Sequence, residues 1–276
     1  KRDSYLLDIV GDKENSFSSA FMKIAFNISP LKTEHAARGV GMYTKYLKEA
    51  LLRYCPENEY IFFENNDFIE GNPDIIHYPF FDPFFITLPW KKLSKTVVTI
   101  HDLIPIIFPD RFPSGIKGKI KWEVQKILLN FVDAIITDSE SSKKDIVRLT
   151  GISEKKIHVI YLAAGAAFKK LDISKEKSEA IKKKFNLPNQ FGLYVGDVTW
   201  NKNLPRILEA FKEIDIPLVL VGKKLVEKNI DRKNPWNKDL LQVQDKIDNK
   251  KYIALGFVEE TDLVNLYNLA SVLVAP

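Results

Sequence analysis

From Met22 onward the chain alternates short apolar runs with longer stretches in which apolar residues return every three or four positions. The short runs are rich in Ile, Val, Leu and Phe and have little polar interruption. That is the pattern of strands covered on both faces. It predicts strands at 23–29, 58–64, 74–79, 95–101, 133–138 and 156–162, then at 191–197, 218–222, 251–257 and 271–275. Helical periodicity falls between them, near 41–54, 116–131, 140–149, 174–185, 203–214 and 260–270. In the last of these, Leu263, Leu266, Tyr267 and Ala270 repeat at helix spacing. Regular strand–helix alternation implies an α/β fold with parallel, doubly wound sheets. Ten strands are many for one open sheet, so the pattern divides into two Rossmann-like domains of six and at least four strands. The charged helix Lys175–Phe185, closed by Asn186-Leu187-Pro188, reads as a linker. The expected organisation is an N-terminal domain over 22–172, a linker helix over 173–190 and a C-terminal domain over 191–276.

Both ends carry expectations of their own. The chain opens on Lys1, and its only methionines are Met22 and Met42. Residues 1–21 are polar, with a single short run Tyr5-Leu6-Leu7 followed by Asp8, which excludes a secretory signal. They read as a non-native extension ahead of a natural start at Met22. At the other end Ser271–Pro276 reads as a buried strand, and a buried parallel strand calls for a further covering element. The second domain is therefore read as incomplete.

Composition narrows the function classes. With 45% hydrophobic residues among 276, the chain has the material for packed cores, which excludes disorder as its main state. A net charge of +5 is too mild to imply a nucleic-acid partner. The single cysteine, Cys55, excludes an internal disulfide framework and a multi-cysteine zinc site. No apolar run approaches the ~18 residues of a membrane span, and a cytoplasmic location is expected.

Four places could carry chemistry. Arg38-Gly39-Val40-Gly41 opens a helix after the first strand. Glycines there admit a ligand close to the backbone, and the helix start offers free N–H groups to an anion, although a plain turn would use the same residues. It is not a dinucleotide fingerprint, because Thr44 occupies the third glycine position. His101, in Thr99-Ile100-His101-Asp102-Leu103-Ile104-Pro105, ends a strand, where a sheet's carboxyl edge meets ligands. It can hydrogen-bond a sugar hydroxyl or move a proton, and Asp102 next to it can fix a tautomer or a loop. His77, beside Tyr78-Pro79-Phe80-Phe81, is a weaker candidate, while His35 and His158 have no evident partner. In Thr137-Asp138-Ser139-Glu140-Ser141 the residues suit a helix cap, Ser139 or Ser141 capping and the acids favouring the helix start. The fourth block, Tyr194-Val195-Gly196-Asp197 through Lys202-Asn203, reads as strand, glycine turn and helix start with a lysine beside it, a diphosphate-type site. Strand ends at Val221-Gly222-Lys223 and Leu255-Gly256-Phe257-Val258 repeat the glycine. No metal-ligand spacing, Walker loop or nucleophile elbow is present.

Taken in order, these blocks resemble the family 4 retaining glycosyltransferases of the GT-B fold, with Asp262-Leu263, Leu266-Tyr267 and Ala275-Pro276 extending the likeness over about residues 22–276. The resemblance implies transfer of a sugar from a nucleotide diphosphate sugar to a glycan or lipid-linked acceptor, with retention, without a metal or other cofactor, in cell-surface polysaccharide synthesis. It places the donor on Gly39, Gly41, Gly196, Asp197, Asn203, Gly222, Phe257 and Val258. His101 would lie near the transferred sugar, and Lys202 would neutralise the leaving diphosphate. Tyr78, Phe80 and Asp102 would serve the acceptor, with Phe81, Phe84 and Phe85 available in the same loop. The arginine such enzymes often carry shortly before the lysine is missing: Asn201 precedes Lys202, and Asp197 follows the glycine. The acidic, glycine-rich segment expected after the Ala-Pro strand is missing too, and without it donor binding is expected to be weak. Lysines interleaved with Ile and Trp in Gly115–Trp122 suit a peripheral membrane contact. A noncatalytic nucleotide- or sugar-binding module and a GT-B-like nucleotide-sugar epimerase are the alternatives.

Overall fold

The computed structural model describes residues 21–275 apart from 34, 35, 37, 65–68 and 70; the expected extension, save Phe21, and His35 lie outside the described residues. The chain runs β1 (Lys23–Asn27), α1 (Gly39–Tyr54), β2 (Glu59–Phe63), β3 (Ile75–Tyr78), β4 (Lys95–Thr99), α2 (Ile104–Ile107), α3 (Gly115–Leu129), β5 (Ala134–Thr137), α4 (Glu140–Thr150) and β6 (Ile157–Val159). It continues through α5 (Lys175–Phe185), β7 (Gly192–Val195), α6 (Leu204–Lys212), β8 (Leu218–Val221), α7 (Lys238–Gln244), β9 (Tyr252–Gly256), α8 (Glu260–Leu269) and β10 (Val272–Leu273).

Among the described residues ten strands pair in parallel, in two sheets of order β2-β1-β3-β4-β5-β6 and β10-β7-β8-β9. In each, the strand order reverses beside the first strand laid down, β1 in one sheet and β7 in the other. A crevice opens at such a point beyond the carboxyl ends of the strands. The second sheet shows how the sequence covers both its faces. Tyr194, Leu218, Leu220 and Tyr252 pack with Leu204, Leu208 and Phe211 of α6 and Leu240 and Val243 of α7. Their neighbours Leu193, Val219, Val221 and Ile253 turn the other way, onto Ile181 of α5 and Leu266 of α8. Successive strand residues point to opposite faces, so an unbroken apolar run such as Leu218–Val221 needs helices on both sides.

Three expectations need amendment. The helix read as a linker also belongs to the second core, because Ile181 is buried and Phe185 and Leu187 pack with it. The strands at 156–162 and 271–275 shrink to Ile157–Val159 and Val272–Leu273: one further N–H in each, Ile160 to Thr137 O and Val274 to Leu193 O, still reaches the neighbouring strand, and the ladder stops there while the apolar run goes on. Helices α2 and α7 were not anticipated; at four and seven residues they are too short to display a period.

Candidate functional site

At the carboxyl edge of the first sheet the register brings two distant residues together. Val97, Val98 and Thr99 of β4 lie beside Ala134, Ile135 and Ile136 of β5. His101 and Asp138, two positions further along each strand, keep the same offset. His101 Nδ1 lies 2.7 Å from Asp138 Oδ2, with about a fifth of each side chain exposed. His101 Nε2 and Asp138 Oδ1 are buried without a protein partner. Tyr43 of α1 sets its ring edge-on to the imidazole at 4.6 Å. Its hydroxyl is 3.3 Å from Thr99 Oγ1, and burial holds that phenol above its usual range. Thr99 Oγ1 is also 3.0 Å from Nε2 of the buried His77.

Burial pushes the His77 pKa down to about 4, because a charged ring would lose its water. An unfolded histidine titrates near 6.5, so folding is favoured above that pH, and the advantage is lost as pH falls toward 4. Over that window the loss is about 3 kcal/mol. We expect the unfolding free energy from urea titrations to drop between pH 7 and pH 4 by this amount more in the wild-type chain than in His77→Gln, and parallel curves would remove His77 as the source.

The second sheet ends in three glycines. Gly196 N–H donates to Val221 O and Gly222 N–H to Gly256 O, both at 2.9 Å, which aligns the turns after β7, β8 and β9. A Cβ on Gly222 would stand 2.4 Å from Gly196 O, so only glycine permits this approach. The Tyr194 hydroxyl, whose pKa burial raises to about 12, donates to Asp197 O at 2.7 Å and holds the turn after β7. From there Trp200–Lys202 form a short 3-10 turn. Asn203, with φ 49°, then reverses the chain into α6. Lys202 is exposed, and no ion pair joins it among the described residues.

The two edges face one another. Arg38 Nε, at the start of α1, lies 3.3 Å from Asp197 Oδ2, setting the Gly39 turn against the Gly196 turn. Glu260, at the start of α8, accepts hydrogen bonds from Lys45 Nζ at 2.8 Å and Tyr46 Oη at 2.6 Å. The Lys45 ammonium holds its carboxyl below the usual range. Trp200 packs on Phe108 at 5.0 Å with the Arg111 guanidinium 5.2 Å from its ring. Trp236 packs on Phe112 at 5.0 Å and donates to Pro113 O at 3.2 Å. A polar cavity of about 250 Å³ lies among Arg38, Asp197, Lys223, Lys224, Glu227 and Asp231, its three cations matched by three acids. A larger apolar one, about 1250 Å³, runs along α1 beneath residues 160–166 and α8. Neither includes His101 or Lys202.

The expected site residues separate accordingly. Gly39 and Gly41 sit in the first turn of α1, and Gly196, Asp197, Asn203 and Gly222 stand at the edge of the second sheet. Phe257 is exposed just past β9, and Val258 is buried in the core beside it. Tyr78 is a correction: it is 3% exposed, packed edge-on against Phe63 in the first core, because it alternates with His77 and faces away from α1. Asp102 is exposed, and its carboxylate accepts from Ile104 N–H at 3.0 Å and fixes the turn into α2, the loop role expected of it. Phe80 is half-buried. Ser139 does cap α4, accepting from Ser142 N–H at 3.1 Å. The acid beside it, assigned to the helix start, instead holds His101. Arg38, Asp138 and Trp200 stand in the candidate blocks without a site role of their own in the sequence, and Tyr43 carries no sequence signal beyond its place in a helix. Among the described residues no group of three or more His, Cys, Asp or Glu is placed to hold a metal ion, and no helix is long and apolar enough to cross a membrane.

Comparison with known proteins agrees with this architecture. Residues 47–163 match the family model Glycosyltransferase Family 4. The serotype-specific mannosyltransferase WbdA of Escherichia coli is 24% identical over 98% of this chain. The chain spans 31% of the length of that relative. Sucrose-phosphate synthase from Thermosynechococcus elongatus superposes with a TM-score of 0.64 at 17% identity, covering 92% of this chain and 75% of that one. Anabaena HepE in complex with UDP-glucose gives 0.62 at 16% identity, covering 92% and 73%. These establish the GT-B fold.

Proposed function

We propose, from a first lobe that carries the Glycosyltransferase Family 4 match on a GT-B fold, that this chain is a glycosyltransferase working between its two sheets. It takes a nucleotide diphosphate sugar as substrate and passes the sugar, with retention, to a glycan or lipid-linked acceptor in cell-surface polysaccharide synthesis. The sugar is a hexose, mannose on the precedent of the curated relatives. Residues 22–172 form the acceptor side, 191–276 form the donor side, and the setting is cytoplasmic.

The observation that carries this reading is the Arg38–Asp197 contact. It sets a glycine turn of one sheet against the glycine turn of the other, with His101 and Lys202 on the facing edges. A diphosphate seated there meets the Lys202 ammonium and the free N–H groups at the helix starts. Negative charge growing on the nucleotide as the glycosidic bond breaks is stabilised by groups already in place. His101 Nε2, unpartnered by protein, is free to bind a hydroxyl of the transferred sugar. No cofactor is required by these steps.

A thermal-shift titration against UDP, GDP, ADP and their hexose conjugates tests it. A ligand at 100 times its dissociation constant adds about 2.7 kcal/mol of stability. One nucleotide should shift the transition and its sugar conjugate should be turned over. A shift without turnover would favour a noncatalytic binding module, and no shift with any nucleotide would defeat the reading.

A further inference from the structure

Helix α3 carries more apolar surface than the fold uses. Its inner stripe, Gly118, Trp122, Gln125 and Leu129, recurs every three or four residues and is buried. A second stripe lies on another face: Ile116, Ile120 and Ile127 are 80%, 59% and 60% exposed, and Phe131 continues it just past the helix end. Three isoleucines in register on one exposed helix face are not the scattered single apolar residues of an ordinary surface. The segment beside α3 repeats the feature, with Phe85 64% and Trp90 74% exposed. The two are contiguous: the Lys121 ammonium lies 4.7 Å from the centre of the Phe85 ring, and Lys92 pairs with Asp133 at 2.7 Å beyond the end of α3.

The charges around this surface are predominantly positive. Lys117, Lys119 and Lys121 flank the isoleucines, while Lys91, Lys92 and Lys95 border Trp90. The acids within the patch, Glu123 and Asp133, are already paired with Lys126 and Lys92. Bulky apolar side chains and an indole bordered by an excess of lysines over acids match a bilayer interface. The apolar groups enter the acyl boundary, and the ammoniums meet anionic headgroups. A protein partner would need the apolar stripe, but it would not call for an excess of positive charge on both sides of it.

We propose that α3 and the neighbouring Phe85–Trp90 segment form a peripheral membrane-docking face selective for anionic lipid. This goes beyond the catalytic reading and stands whether or not the chain binds a nucleotide.

Flotation of the full chain with phosphatidylcholine vesicles, with and without 30% phosphatidylglycerol, tests it directly. Binding should require the anionic lipid and weaken in high salt. Partition should fall about tenfold or more in Ile116→Gln/Ile120→Gln/Ile127→Gln and in Lys117→Glu/Lys119→Glu. All these positions are on the surface, so the thermal transition should stay put. Equal partition of wild type and variants, or no wild-type binding, would overturn the proposal. So would a concentration-dependent dimer in sedimentation equilibrium that the isoleucine changes abolish, since the stripe would then belong to a second copy of the chain.

Discussion

Asp138→Asn is expected to lower sugar transfer by about two orders of magnitude while leaving nucleoside diphosphate affinity nearly unchanged. Asp138 can only accept at the 2.7 Å contact, so it draws a proton to His101 Nδ1 and leaves Nε2 with a lone pair. An asparagine can turn its NH2 toward the ring and favour the opposite tautomer, in which Nε2 donates. The shape of the site survives, but the hydrogen-bonding sense of the one unpartnered ring nitrogen reverses. Single-turnover transfer at saturating donor measures the loss, and the 15N shifts of His101 report the tautomer. Transfer at the wild-type rate with an altered tautomer would show that Nε2 takes no part. A loss accompanied by a matching fall in thermal stability would make the pair structural. Asp102→Asn, which alters only the turn into α2, should be much milder.

The second large effect is expected at Lys202. Charge-assisted hydrogen bonds contribute about 1.5–3 kcal/mol, so Lys202→Ala should weaken nucleoside diphosphate binding about 10- to 100-fold. Binding of the bare nucleoside should hardly change. Arg38 and Lys202, two of the cleft's cations, differ in what they already do. Arg38 is engaged by Asp197, whereas Lys202 has no acid beside it among the described residues and its full charge is available to a ligand. The side chain is exposed, and its turn is fixed by Trp200 against Phe108 and Arg111, so truncation leaves the fold intact. Isothermal titration with the nucleotide found in the thermal screen is the direct measurement. Unchanged affinity would take Lys202 out of the site and move the phosphate toward Arg38, Lys223 and Lys224.

The Asp197 position also explains a departure visible in the sequence. The resemblance leads one to expect an arginine shortly before Lys202, and the chain has an acid after the glycine instead. In the folded protein that acid is met by a guanidinium from the other sheet. The local charge is therefore settled between lobes, and no reading of the segment 194–203 alone reaches it.

Much else was determined by sequence alone. Strand–helix alternation, the division into six and four strands, and the glycines at Gly196, Gly222 and Gly256 follow from local rules: side-chain period, apolar run length and the close approach only glycine allows. The position of His101 at a strand end is of the same kind, as is the cap at Ser139. What the tertiary structure decided is which ends meet. The register of β4 on β5 sets residues 37 positions apart side by side, which gives His101 its partner in Asp138 and leaves Asp102 to its turn. The packing of one sheet edge on the other gives Arg38 its acid and α8 its hold on Lys45 and Tyr46. Period and propensity act over a few residues, whereas strand order and register come from burying whole faces at once, and no single segment records that outcome.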